Sequence, residues 1–384
     1  MKMSWMAACL LITSVAAPAA FGETTLPTAL PQSYGVVPVA HHASGYDYYG
    51  ESGDAPFFSP VSDLQGGCTA SGCAAPGCAA PGCAVPICGV APGGCGAEYG
   101  GCADCASFGC CCDDRLPLLP FIRRGDHCYD GFISPMTNPV FFEDPRNVTE
   151  ARMIFLNHQL PPGLGSGDVQ VYAMQIRASL TDRLSLIATK DGFIVGGNDA
   201  PLMDGWADIS AGLKYLLFAD PQSQRLLSTG FTFELPVGSI RSLQGNGDGE
   251  LNLFMTGGTQ IGYDWHWISA GGVRLPMNTL QEAPVMYWSN HIDRRLIGDW
   301  YFLTEFNWYN YLKDGRTAFT GINGIDLFNL GGTSIAGNNI VTGAFGTKWK
   351  PAPWTELGVA WELPLSSRKD LLEHRLTADW IIRF

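Results

Sequence analysis

From about residue 150 onward, apolar and polar positions alternate in short runs. In "WTELGVAWEL", Leu357, Val359, Trp361 and Leu363 fall on one side of an extended chain, and Glu356, Gly358, Ala360 and Glu362 on the other. A period of two marks a strand with two unlike faces. "ADISAGLKYLL" repeats it, with Ala207, Ile209, Ala211, Leu213, Tyr215 and Leu217 opposed to Asp208, Ser210, Gly212 and Lys214. So does the C-terminal "LLEHRLTADWIIRF", where Leu372, Leu376, Ala378, Trp380, Ile382 and Phe384 share a face. Such runs outlast the usual soluble strand and suit one that crosses a bilayer at a tilt.

Read along the chain, the pattern predicts about twelve strands, over 151–160, 168–179, 183–195, 205–218, 224–236, 249–262, 265–276, 286–296, 299–312, 338–350, 353–364 and 371–384. The strand over 286–296 is broken by the adjacent Arg294 and Arg295, and the first strand has mixed faces. Connections between strands run long, then short, throughout. An outer-membrane barrel has that rhythm, with short periplasmic turns and longer external loops. Trp265, Trp267, Trp300, Trp349, Trp354 and Trp380 lie near strand ends on the short-turn side, and Trp206 and Trp288 near the other, as two interfacial girdles require. The expected fold is therefore all-β, an antiparallel transmembrane β-barrel. Its closing strand ends at Phe384 and turns Leu376, Trp380, Ile382 and Phe384 to lipid.

The first third is different. "MKMSWMAACLLITSVAAPAAFG" has a basic residue, an apolar run and small residues at its end, the marks of a signal peptide over 1–22. Cys9 sits inside the apolar run, which does not suit a lipoprotein anchor. Residues 23–130 form a low-complexity arm rich in Cys, Gly and Pro, which has too few large apolar residues to bury a core and is expected to be disordered. The barrel is expected over 131–384. Of the thirteen cysteines, all but Cys9 fall in the arm: Cys68, Cys73, Cys78, Cys83, Cys88, Cys95, Cys102, Cys105, Cys110, Cys111, Cys112 and Cys128. In an exported chain they are disulfide candidates, within the arm or between molecules. "CADC" lacks the second pair of a zinc site, so no metal is assigned.

A net charge of −13 argues against nucleic acid as a partner, and a mean hydropathy of +0.06 is what alternating strands average to. Charges on the polar faces, Arg177, Lys214, Glu234, Arg274, Glu305, Lys348, Glu356, Glu362, Arg375 and Asp379, are expected to line the lumen, because an Arg or Lys facing mid-bilayer lipid costs about 2–4 kcal/mol. They either border a path or pair with one another. No catalytic constellation emerges: "GLGSGD" is not a G-x-S-x-G elbow, and His158 and Ser166 lack a third partner. In "GNGDGE", Asn246, Asp248 and Glu250 are spaced like calcium ligands without the full loop that would fix them. No cofactor and no enzymatic activity are expected.

"SLTDRLSLIA" at 179–188, "DISAGLKYLLF" at 208–218 and "FTFELPVGS" at 231–239 resemble, in that order, the outer-membrane proteins of the MetA-pathway of phenol degradation family. The resemblance covers roughly 150–384 and implies an outer-membrane channel or transporter for small, often hydrophobic compounds. The Cys-rich arm departs from that pattern. Two functions follow as expectations: such a channel, with lipid and a small solute as its partners, or a structural or adhesive envelope protein. In the second, the barrel anchors a periplasmic arm that crosslinks into disulfide-linked multimers.

Overall fold

The computed structural model describes residues 117–197 and 199–384. The strands are β1 (Pro117–Leu119), β2 (Ile122–Arg123), β3 (Glu150–Gln159), β4 (Asp168–Ser179), β5 (Leu184–Lys190), β6 (Phe193–Gly196), β7 (Gly205–Trp206), β8 (Ile209–Asp220), β9 (Arg225–Leu235), β10 (Glu250–Gln260), β11 (Trp265–Pro276), β12 (Val285–Arg295), β13 (Trp300–Tyr311), β14 (Asn339–Ala352), β15 (Thr355–Pro364) and β16 (His374–Arg383). From β3 onward every wall neighbour is antiparallel, and β16 pairs with β3 from Arg383↔Glu150 to His374↔Gln159. That pairing closes the sheet and leaves the wall no open edge. With β5 and β6 sharing one wall position and β7 and β8 another, the molecule is a closed antiparallel barrel of 12 strands.

Alternation decides which way each side chain points. On β15 the odd positions Leu357, Val359, Trp361 and Leu363 are exposed, while Glu356 and Glu362 are fully buried. On β16 Leu376, Trp380 and, beyond the strand, Phe384 are exposed, and Ile382 is half-buried beside them. The barrel thus wears its apolar residues outside, in a belt far larger than a soluble surface tolerates. Trp300 and Trp349 stack 5.7 Å apart on that outer face.

The turns at one end, which we call the near end, are short: 180–183, 221–224, 261–264, 296–299 and 353–354. At the first, the Thr181 hydroxyl accepts the N–H groups of Arg183 and Leu184 at 3.2 and 2.9 Å. The far end carries longer connections, of which 312–338 is the longest.

Four expectations are corrected. The strand expected over 183–195 breaks at Asp191 and Gly192, and that over 205–218 breaks at Ala207 and Asp208, where Ala207 turns inward and is buried. The final strand begins at His374, so Leu372 is not on its outer face but buried in the far mouth. Residues 125–149 are not wall at all. They run through the lumen without regular structure, and the wall begins at Glu150. The strand with adjacent arginines is regular: Ser289, His291 and Asp293 face in, while Arg294 and Arg295 lie at its exposed near end, Arg294 over the Trp265 ring at 5.2 Å. The signal peptide and the cysteines from Cys68 to Cys112 lie outside the described residues.

Candidate functional site

A chain without a ladder must find partners for its N–H and C=O groups among side chains, and the lumen wall supplies them to residues 125–149. Glu305 on β13 accepts the Met136 N–H at 2.7 Å, the Thr137 N–H at 2.6 Å and the Thr137 hydroxyl at 2.5 Å. Lys214 on β8 donates to the Asp144 and Arg146 carbonyls at 2.5 and 2.8 Å. Gln175, Ser228 and Thr256 donate to the carbonyls of Pro139, Pro145 and Glu143. The segment is a plug, and charged and hydroxyl groups of the wall hold its backbone. Apolar packing holds it as well, with Phe132 against Tyr129 and the His266 ring, Phe141 against Tyr287, Phe142 among Leu216, Leu226 and Ile268, and Ile133 and Met136 near Tyr301 and Leu303.

The plug also brings charges of its own. Glu143 meets Arg177 at 2.7 Å and Lys214 at 2.7 Å, and Asp144 meets Arg146 at 2.7 Å. Arg383 links three parts of the structure, reaching Glu150 at 2.9 Å, Glu356 at 2.5 Å and the plug hydroxyl of Ser134 at 2.9 Å. Lys348 bridges Glu356 and Asp379, at 3.4 and 2.9 Å, and Arg152 meets Asp379 at 2.8 Å. On the neighbouring strands β11 to β13, His291 lies between Asp293 and Glu305, at 3.1 and 2.6 Å, while His266 bonds Asp293 at 2.8 Å.

The far mouth is covered by the loop 312–338. Ile325, Leu327, Phe328, Leu330 and Ile335 are buried in it. Arg274 on β11 reaches Glu250 at 2.6 Å and the Ile325 carbonyl at 2.9 Å. Arg375 on β16 holds Glu362 at 2.6 Å and the loop's Asp326 at 2.8 Å. Asp370 takes the N–H groups of Asn323 and Gly324 and the Tyr311 hydroxyl, and burial pushes its carboxyl above the ordinary range. Beside this cover, Glu282 has a buried oxygen without a hydrogen bond. Burial, with Glu250 and Glu234 nearby, pushes its carboxyl up to about 9.

Each of the ten charges read from the polar faces is buried, and each is within ion-pair distance of a partner. Glu234 meets Lys190 at 2.5 Å, and the other nine, Arg177, Lys214, Arg274, Glu305, Lys348, Glu356, Glu362, Arg375 and Asp379, are placed above. Sequence reasoning missed the plug charges Glu143, Asp144 and Arg146, and the wall groups Glu150, Arg152, His266, His291, Asp293 and Arg383. The first strand concealed its own: Glu150 and Arg152 face in, but so do Ile154 and Leu156, because the far lumen is apolar where the covering loop packs.

The weaker chemical candidates dissolve into structure. His158 is buried with its ring on the Leu371 carbonyl at 2.8 Å, and Ser166 sits in a turn at φ 58°. Asn246 bonds the Leu243 carbonyl, Asp248 accepts from Asn278, and Glu250 pairs with Arg274, so the calcium-like spacing is engaged by protein donors.

The barrel is similar to an outer-membrane channel from Pseudomonas putida, at 11% identity over 66% of this chain and 100% of that one, with a TM-score of 0.47. It is similar to the NanC porin at 9% identity over 62% and 99%, TM-score 0.40. The KdgM porin, solved in complex with disordered oligogalacturonate, gives 12% identity over 61% and 99%, TM-score 0.37. No family profile matches the chain, and no curated protein does. At these identities and scores nothing about function is carried across.

Proposed function

We propose that this chain is an outer-membrane barrel that passes small, hydrophobic solutes when its plug is displaced, with the near end and the arm of 23–130 in the periplasm. The apolar outer belt supports the membrane reading, since it needs lipid to cover it. The observation that carries the channel reading is the chemistry of the lumen wall. A barrel that stayed filled would gain from apolar contacts, since replacing buried ion pairs by well-packed apolar groups is often neutral or stabilising. Arg177, Lys214, Glu305, Lys348 and Glu356 would instead suit water once residues 125–149 withdrew.

Withdrawal of Phe132, Ile133, Met136, Phe141 and Phe142 would also bare apolar wall, which an apolar solute would cover. The apolar sector of the far lumen, around Ile154, Val171 and Ile194, supports a hydrophobic solute. The second reading, an envelope anchor whose arm crosslinks, is favoured by the twelve cysteines gathered between Cys68 and Cys128. Recording the full chain in a planar bilayer separates the two. Discrete conductance steps that become frequent when urea or voltage loosens the plug are expected of the channel. A bilayer silent under every condition, from protein of proven assembly, overturns it in favour of the anchor.

A further inference from the structure

Phe141, Phe142 and Glu143 of the plug present two rings followed by a carboxylate, and the wall receives the ring of Phe141 and the carboxylate in separate seats. Arg177 on β4 meets the Glu143 carboxylate with two donors, Nε to Oε1 at 2.9 Å and Nη2 to Oε2 at 2.7 Å, and Lys214 on β8 reaches the same Oε1 at 2.7 Å. A planar fork matched to both oxygens, with a point charge beside it, is the donor set of a carboxylate site. The Phe141 ring lies at a tilt 5.2 Å from the Tyr287 ring, with the Arg274 guanidinium 4.4 Å over its face. That seat grips a ring by an aromatic neighbour and a cation. The two seats adjoin, because Ile187, which pairs with Arg177 across the ladder of β4 and β5, belongs to the apolar cluster around Phe141.

The wall groups differ in what withdrawal of the plug would leave them. Glu305 would keep His291, and Glu356 would keep Arg383 and Lys348. Lys214 would keep nothing: among the described residues its bonds go to Glu143 and to the Asp144 and Arg146 carbonyls, all within the plug. Arg177 would stay aimed, since Glu150 holds its Nη1 at 3.1 Å and the Gln175 side-chain oxygen accepts from its Nη2 at 3.3 Å. The opened site is thus preorganised, and it lacks the one negative charge that Glu143 supplied.

We infer that Arg177 and Lys214, with the ring seat of Tyr287 and Arg274, form a binding site for a small aryl carboxylate, and that Phe141 and Glu143 of the plug occupy it in the solute's absence. This rests on the channel reading above and narrows its solute to an apolar ring joined to a single carboxylate. Solute and plug then exclude each other. A solute that binds only the barrel with its plug withdrawn raises the withdrawn fraction in proportion to its concentration over its Kd, whatever that fraction was at the start.

The test uses the full chain in phosphatidylcholine nanodiscs at fixed ionic strength, with 3-phenylpropionate as the probe. Protease cleavage within 125–149 reads withdrawal. Cleavage is expected to rise with the probe, by about tenfold at roughly ten times its Kd. The amide 3-phenylpropionamide, which keeps the ring and loses the charge, should leave cleavage unchanged, and propionate, which lacks the ring, should need about tenfold more for the same effect.

Two variants separate a binding site from a structural ion pair. Glu143→Gln and Lys214→Met both loosen the plug, so both raise cleavage before any probe is added. Glu143→Gln leaves the wall site intact and should keep the parent's proportional response, whereas Lys214→Met should respond by about twofold or less at the same concentration. Assembly of each is checked by heat-modifiable gel mobility, and if Lys214→Met does not assemble, the contrast of probe with amide on the parent decides. Equal proportional responses of the two variants overturn the inference. So does an amide response equal to the probe's, or an equal response to inorganic phosphate, which would make the pair of cations a general anion site. Conductance is read separately. A probe response in a barrel that never conducts retires the channel reading while keeping the site, whereas conductance without a probe response retires the site alone.

Discussion

Replacing Glu305 should unlatch the plug. Its carboxylate accepts three hydrogen bonds from Met136 and Thr137, at 2.7, 2.6 and 2.5 Å, in a fully buried setting. Hydrogen bonds to a charged group contribute about 1.5–3 kcal/mol each, and discounted for non-additivity the three together hold the plug by about 4–5 kcal/mol. Glu305→Ala removes them all. At 1.4 kcal/mol per decade, the fraction of barrels with the plug displaced should rise by roughly a thousandfold. Glu305→Gln keeps an acceptor of the same shape but loses the charge, so it should give about half that free energy and a few tens-fold rise. Single-channel recording reads the fraction as open probability, and limited proteolysis between residues 125 and 149 reads it independently. Both variants must first show the heat-modifiable mobility of an assembled barrel. If both assemble, stay as silent as the parent and resist protease equally, the plug is not held at Glu305 and the gating argument fails.

Four further outcomes test other parts of the structure. Arg375→Ala leaves Asp326 and Glu362 buried without their cation, a loss of about 3–5 kcal/mol, and should make the loop 312–338 protease-sensitive while the plug stays protected. Gly192→Val meets both a positive φ and a Cβ 2.4 Å from the Tyr172 carbonyl oxygen, so heat-modifiable mobility should be lost at a lower temperature than in the parent; an unchanged profile would show that the bend tolerates a side chain. A chain beginning at residue 124 should assemble as the full protein does, whereas one beginning at 150 should conduct continuously, since its lumen charges face water; equal conductance of the two would deny the plug its role. Glu282 has a carboxyl raised from 4.5 to about 9, so its contribution to holding the far-end loops is full below about 4.5 and is lost as pH rises through about 9; loop proteolysis should increase on the alkaline side, and Glu282→Gln should abolish that increase.

The wall was legible because a barrel writes each strand as an alternation, and the pairings follow chain order. The strands over 168–179 and 265–276 stand where the pattern put them. The plug was illegible for the opposite reason. Residues 125–149 have no period, and their partners are remote in sequence, with Met136 separated from Glu305 by 169 positions. Only composition hinted at it: Glu143, Asp144 and Arg146 stand among prolines and phenylalanines in a stretch too apolar for a loose arm. The break in the wall did leave a mark. Asp191–Gly192 is a turn pair set within an otherwise continuous strand, where a bulge is the ordinary meaning of glycine.

The root of the plug is tied to the seam of the barrel. The Gly125 N–H bonds the Phe384 carbonyl at 2.8 Å, the Phe384 N–H bonds the Thr149 carbonyl at 2.9 Å, and Arg383 joins Glu150 to Ser134. These contacts join residues from the two ends of the described chain, so the root of the plug and the β3–β16 seam rest on the same few bonds. The rest of the plug is held by β8 and β13, away from that seam. A plug that withdraws from Glu305 and Lys214 can therefore stay tethered at Gly125 and Thr149, beside Phe384, and swing back to the same seat.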